Sequence, residues 1–340
     1  MGSTAPVVVT DKLTKRYGEF TALDNLSISL DRGNILGFIG PNGAGKTTTI
    51  KILVGLAKPT SGTAHIAGCD CTQDAKKIKR LVGYMPDKFG SYHNMRVREY
   101  LDFFGAAFGI HRRDRTKRVA EVLEITNAAW MQDRYVESLS HGMQQRIGIA
   151  RTLLHDPAVL ILDEPANGLD PQARIEMREI ILKLAAVGKT LIVTSHILPE
   201  LSRICDRVAI VTQGKLRAFG TLEEITRKIS QKRTIEVELA NAAQLNAAAE
   251  IIAGLGESGA EIATSPTEST VRFRTSKPEN ELGELLSRLV RANITVNQFS
   301  ELQSDLEEAF LAVTRDTTAP QKERKLEEAP PRRAAAGGQR

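Results

Sequence analysis

The run Gly40-Pro41-Asn42-Gly43-Ala44-Gly45-Lys46-Thr47 has the spacing G-x-x-x-x-G-K-T. Glycines at these intervals let backbone N–H groups turn inward and cradle an anion. A helix opening at Lys46 adds its positive end. Lys46 can then reach β- and γ-phosphates, and the Thr47 hydroxyl can bind Mg²⁺. Gly40, Asn42, Gly43, Ala44, Gly45, Lys46, Thr47 and Thr48 are therefore the candidate contacts to a nucleotide's phosphates.

Farther along, Val159-Leu160-Ile161-Leu162 runs into Asp163-Glu164-Pro165. An apolar strand that ends in two carboxylates places them at the strand's C-terminal edge, where α/β proteins bind ligands. Beside a phosphate loop, Asp163 is placed to hold Mg²⁺. Glu164 is placed to polarise a water, which is general-base work. An acidic turn capping the next helix is the alternative for the pair. Ser140, in Leu139-Ser140-His141-Gly142-Met143-Gln144-Gln145-Arg146, reads as the N-cap of a helix over 141–155. Free N–H groups at a helix start also suit an anion, so capping and phosphate contact are compatible there.

These groups need a scaffold. Short apolar runs bounded by Gly, Pro or Asp predict strands over 7–10, 26–30, 35–39, 63–66, 81–84, 158–162, 191–194, 208–212 and 215–219. Runs 35–39, 158–162 and 191–194 are uninterrupted, as in parallel strands buried on both faces. Helical patterns over 46–56, 141–155 and 172–187 alternate with them, which predicts a three-layer α/β core. Between 96 and 140 the pattern turns helical (98–109 and 113–125) with no strand, as a helical insertion would. A second unit over 232–314 reads strand 234–239, helix 242–254, strands 260–264 and 270–275, helix 278–291, strand 294–299 and helix 306–313. Its β-α-β-β-α-β start is the order of a small α+β, ferredoxin-like domain. Residues 316–340 are rich in Pro, Ala and charge and predict a disordered tail.

At the signature Leu139-Ser140-x-Gly142, the sequence resembles the nucleotide-binding subunit of ABC transporters. The resemblance covers about residues 5–225 and implies an ABC-type P-loop NTPase fold, with the ATPase domain over 5–228. It implies that Tyr17 stacks on adenine, where a core aromatic is the other reading. Ser140 and Gly142 would meet the γ-phosphate held by a second subunit. Asn167-Gly168-Leu169-Asp170 would form the D-loop, with Asp170 also free to cap a helix. His196 would be the switch histidine facing the γ-phosphate. The resemblance further implies MgATP, hydrolysis driven by Lys46, Glu164 and His196, and a homodimer or heterodimer with a related ATPase in the ATP-bound state. It also implies a separate multi-span permease and a place at the cytoplasmic face of the cell membrane. The stretch Asp305-Leu306-Glu307-Glu308-Ala309-Phe310 resembles the end of bacterial exporter-type ATPases, which favours export.

Two positions depart from the family's pattern. Asp87 in Tyr84-Met85-Pro86-Asp87 stands where glutamine is expected, and its carboxylate can still ligate Mg²⁺. His141 and Met143 replace the usual glycine and glutamine of the signature.

Other classes fit less well. No run reaches the roughly 18–20 apolar residues of a membrane span. Three cysteines do not build a disulfide framework. The net charge of +5 is mild and does not point to nucleic acid. A translation ATPase of this type usually carries two cassettes, and a DNA-repair ATPase needs a long coiled coil before the signature. Intact Lys46, Asp163, Glu164 and His196 speak against a module that has lost hydrolysis. A non-transport ATPase acting as a soluble regulatory or assembly factor is the remaining alternative.

Overall fold

The computed structural model describes residues 6–87, 94–196, 201–229, 233–254 and 262–302. Its centre is a six-stranded sheet ordered β10-β9-β3-β8-β7-β6. The strands are β3 (Ile35–Ile39), β6 (Val82–Met85), β7 (Val159–Leu162), β8 (Thr190–Ser195), β9 (Arg207–Thr212) and β10 (Lys215–Gly220). All pairs are parallel except that of β10 with β9.

The unbroken apolar runs are explained by burial on both faces. Leu36, Phe38, Ile161, Ile192 and Val211 join one core. Their neighbours Ile35, Ile39, Leu160, Leu162, Leu191 and Val193 join the other. The first core is closed by α1 (Lys46–Leu53), α2 (Ala75–Leu81) and an antiparallel sheet. That sheet is ordered β2-β1-β4-β5 and comprises β1 (Val8–Tyr17), β2 (Phe20–Leu30), β4 (Ser61–Ile66) and β5 (Cys69–Asp70). The second core is closed by α3 (Val97–Ala107), α4 (Arg112–Ile125), α5 (His141–Leu153), α6 (Pro171–Ala186) and Ile225 of α7 (Leu222–Ile229).

Helices α3 and α4, with two 3₁₀ turns at Ala129–Met131 and Val136–Ser138, lie between β6 and α5, and among the described residues of that span there is no strand. The first helix is shorter than its pattern. Gly55 takes φ +72 while Leu56 N–H donates to Lys51 O at 2.8 Å, a glycine-based stop. Strands β1 and β2 are longer than the expected 7–10 and 26–30. Register shifts follow Thr10 and Leu13, and these bulges break the alternation a strand search relies on.

A third sheet, ordered β12-β13-β11-β14, is wholly antiparallel. It holds β11 (Arg233–Leu239), β12 (Ile262–Ser265), β13 (Thr270–Thr275) and β14 (Val296–Leu302). Ile235, Val237 and Leu239 alternate onto one face with Val271 and Phe273. There they meet Leu245, Ala248 and Ile252 of α8 (Leu245–Ala253) and Leu282, Leu285 and Leu289 of α9 (Glu279–Arg291). The expected helix 306–313 and the tail 316–340 lie outside the described residues. Among the described residues no helix is long and apolar enough to cross a membrane, and the three cysteines are free.

Candidate functional site

Strand register gathers the site. Ile39 pairs with Ser195, Val193 with Leu162, and Leu162 with Met85. Two residues beyond Leu162 and Met85, Glu164 and Asp87 fall on the row of Ser195. Gly40, His196, Glu164 and Asp87 thus leave the sheet at one edge, the C-terminal end of its parallel strands.

Gly40 opens the loop where a Cβ would stand 2.3 Å from Val211 O. Gly45 has φ +107, and a Cβ there would meet Ala22 O at 2.8 Å. No other residue fits either place. Gly45 also brings no capping side chain to α1, so the N–H groups of the first turn, which precede any intrahelical carbonyl, remain free for an anion. Ala44 is fixed by its N–H to Pro41 O (3.1 Å) and its carbonyl to Gly214 N–H (2.9 Å). Asn42, Gly43 and Thr47 are exposed, and Thr48 is half-buried.

Lys46 is buried, with Nζ donating to Gly40 O at 2.5 Å and standing 3.4 Å from Glu164 Oε1. The other Glu164 oxygen, Oε2, lies 2.9 Å from His196 Nδ1. A carboxylate only accepts, so Nδ1 carries the proton and Nε2 is left for another partner. The three residues expected to act together are therefore in contact. Glu164 sits at φ +52. A left-handed glutamate is uncommon and costs on the order of 1–3 kcal/mol, a strain that gathers at functional sites.

Asp163 is buried beside them. Its Oδ1 accepts from Thr194 Oγ1 at 2.7 Å, and the same hydroxyl accepts from Glu164 N–H at 2.8 Å. Burial pushes the Asp163 carboxyl up first, and the charges of Glu164 and Asp87 add to it. The Tyr84 hydroxyl hydrogen-bonds Asp163 and is pushed up to about 12 by burial and by that charge. Thr194 and Tyr84 were not singled out from the sequence. The available signal was a hydroxyl at the end of the apolar run Leu191-Ile192-Val193. Thr194→Val keeps the shape, leaves the Glu164 N–H without its acceptor and removes one donor from Asp163, which keeps Tyr84; the orphaned donor alone costs roughly 1–3 kcal/mol. We expect its urea midpoint to fall clearly while Thr194→Ser stays near wild type.

The remaining expected residues are placed as follows. Tyr17 is 49% exposed at the β1–β2 turn with Lys15 Nζ 4.8 Å over its ring, which rules out a core aromatic. Ser140 caps α5 by accepting from Met143 N–H at 3.4 Å. Gly142 packs on the start of α6, where a Cβ would meet that of Ala173 at 3.3 Å. Asp170 caps α6, accepting from Ala173 N–H at 2.9 Å. Asp87 Oδ1 lies 3.5 Å from Asn167 Nδ2.

A glycine loop between a buried strand and a helix, with a cation and two carboxylates at one sheet edge, defines a P-loop nucleotide-binding protein. Residues 23–167 match the family model of the ABC transporter. The chain is 44% identical over 228 residues to the bacitracin transport ATP-binding protein BcrA of Bacillus licheniformis, a match spanning 67% of this chain and 72% of that one. It is 40% identical over 225 residues to the Nod factor export ATP-binding protein I of Ralstonia nicotianae, spanning 66% and 70%. A solved ATP-binding subunit of an ABC transporter superposes with a TM-score of 0.59 at 30% identity, covering 65% of this chain and 92% of that one. The chain belongs to the ATP-binding subunits of ABC transporters, ATPases that drive transport together with membrane permease components.

Proposed function

We propose that this chain powers export through a separate multi-span permease, working as an ATP-bridged dimer at the cytoplasmic membrane face. The observation that carries it is the contact of Lys46 and His196 with the two oxygens of Glu164, beside buried Asp163. In this reading the N–H groups of 40–48 and the Lys46 ammonium hold the β- and γ-phosphates. Tyr17, exposed at its turn, stacks on adenine. Glu164 takes a proton from the attacking water, and His196 holds the γ-phosphate and orients Glu164.

Mg²⁺ fits the donor set. It prefers oxygen ligands and keeps waters and substrate phosphates rather than an all-protein cage. Among the described residues no group of three or more His, Cys, Asp or Glu forms such a cage. Thr47 and Asp163 would hold the ion, with Asp87 near enough to influence Asp163. The ion would neutralise charge developing on the phosphates.

The signature helix supports a shared site. α5 packs on β6, three strands from β3 and its phosphate loop. At about 4.8 Å per strand that separation is roughly 14 Å, so Ser140 and Gly142 are better placed for a second copy's nucleotide. The insertion supports a membrane partner. Phe103, Phe108, Trp130 and Tyr135 of 96–140 are large side chains each 43% or more exposed, apolar surface that a partner could cover. Export follows the relative named for Nod factor export.

We read 5–228 as the ATPase domain and 232–314 as a ferredoxin-like accessory domain. The β-α-β-β-α-β order, the sheet order β12-β13-β11-β14 and a separate apolar core support the latter. The test is purification of the tagged chain from membranes. A stoichiometric multi-span protein should accompany it, and vesicles holding both should move substrate outward only with MgATP. Recovery of the chain free of any membrane protein, with full ATPase activity, would overturn the transport reading.

A further inference from the structure

The turn that carries Glu164 is held from three directions. Its N–H is taken by Thr194 Oγ1 at 2.8 Å. Its carbonyl accepts from Asn167 N–H at 3.1 Å, closing the turn 164–167. The third hold comes from the start of α5, where His141 Nε2 lies 2.9 Å from Asn167 O. A carbonyl only accepts, so Nε2 carries the proton and donates.

The sequence leaves this approach open. Gly168 has φ +69, and a Cβ there would stand 3.6 Å from the His141 ring, so the ring lies against bare backbone. The rest of α5 is fastened to the same segment. Arg146 pairs with Glu176 of α6, and Gly142 packs against Leu169 and Ala173. Among these contacts, the His141 bond lies nearest in the chain to Glu164. That residue's left-handed backbone, at φ +52, depends on outside support.

We infer that His141 is a positioning residue for Glu164 within its own chain, acting through the carbonyl of Asn167. The inference rests on Glu164 as the group that activates water. His141 sets the turn so that this carboxylate stays between Lys46 and His196. Losing one neutral hydrogen bond corresponds to about a three- to tenfold change in rate.

The test compares two variants of the full chain. His141→Phe keeps the ring's bulk and removes the donor. His141→Gln removes the ring and returns an N–H at similar reach. Phe should lower kcat about three- to tenfold with KM for ATP within about twofold, and Gln should recover most of the loss. If Phe is not tolerated, His141→Ala against Gln makes the same comparison. Wild-type kcat in Phe, or equal losses in Phe and Gln, would overturn the inference.

A second measurement separates action within the chain from action across a dimer. In a Glu164→Gln background, His141→Phe should leave ATP-driven dimerisation intact. Loss of the dimer in the double variant alone would place His141 at the neighbouring copy's nucleotide instead. Glu164→Gln assayed by itself reports separately on the underlying reading, since full activity there removes the base whatever residue 141 does.

Discussion

Glu164→Gln should bind ATP and hydrolyse it about 10² to 10⁴ times more slowly than the wild type, the usual cost of removing a general base. The substitution is mild in shape. The amide oxygen can still accept from Lys46 Nζ, now 3.4 Å from Oε1, and the amide nitrogen can donate to His196 Nδ1 once the imidazole carries its proton on Nε2 instead. The backbone bond to Thr194 is untouched. One negative charge beside Asp163 disappears, which removes one of the influences pushing that carboxyl up. Folding and nucleotide binding should therefore survive while the base is lost. Without turnover the ATP-bridged dimer should accumulate, seen in gel filtration with MgATP and reversed by ADP. A near wild-type rate, or no dimer at any ATP concentration, would sink the assignment of Glu164 or the shared site.

Much of this arrangement is legible in the sequence. Residues 35–39, 158–162 and 191–194 announced themselves as doubly buried strands because no polar residue interrupts them. Gly40 closes the first, and Pro157 and Asp163 bound the second. The phosphate loop was legible because only glycine satisfies positions such as 45, where φ and crowding both exclude a side chain. In the last third, the alternation of Ile235, Val237 and Leu239 and the helical pattern of 278–291 survived into the structure.

What stayed hidden is contact that sequence spacing does not encode. Residues 11–17 and 20–25 look polar and irregular because bulges interrupt the pairing of β1 with β2 and left-handed residues such as Lys12 and Asn25 lie along them. The helix at 75–81 was missed because it buries only Ile78. Thr194 is 31 residues from Asp163, and His141 is 26 from Asn167. Those bonds exist because β7 and β8 are neighbours and α5 packs beside the turn after β7, facts of topology rather than of local pattern. The Lys46–Glu164 contact has the same origin: β8 alone separates β3 from β7.

That contact makes Lys46→Ala the sharpest counterpart to the glutamate variant. Lys46 is 6% exposed, and its ammonium is shared between Gly40 O and Glu164 Oε1. Truncation removes the one side-chain cation of the phosphate loop and leaves Gly40 O without its donor. Removing one member of a desolvated, hydrogen-bonded charge pair costs about 2–5 kcal/mol. At 1.4 kcal/mol per tenfold, ATP affinity should fall roughly 30- to 3,000-fold. Hydrolysis should become undetectable because binding fails first. The two variants touch the same ion pair yet should behave oppositely. Glu164→Gln should hold ATP and dimerise, whereas Lys46→Ala should stay monomeric in either nucleotide. Lys46→Met separates charge from bulk, since it refills the buried stem without the ammonium and should bind ATP no better than Ala. Equilibrium titration with a fluorescent ATP analogue reads both. Affinity within threefold of wild type in Lys46→Ala would mean that the backbone N–H groups of 40–48 alone hold the phosphates, and the role given to Lys46 would fall.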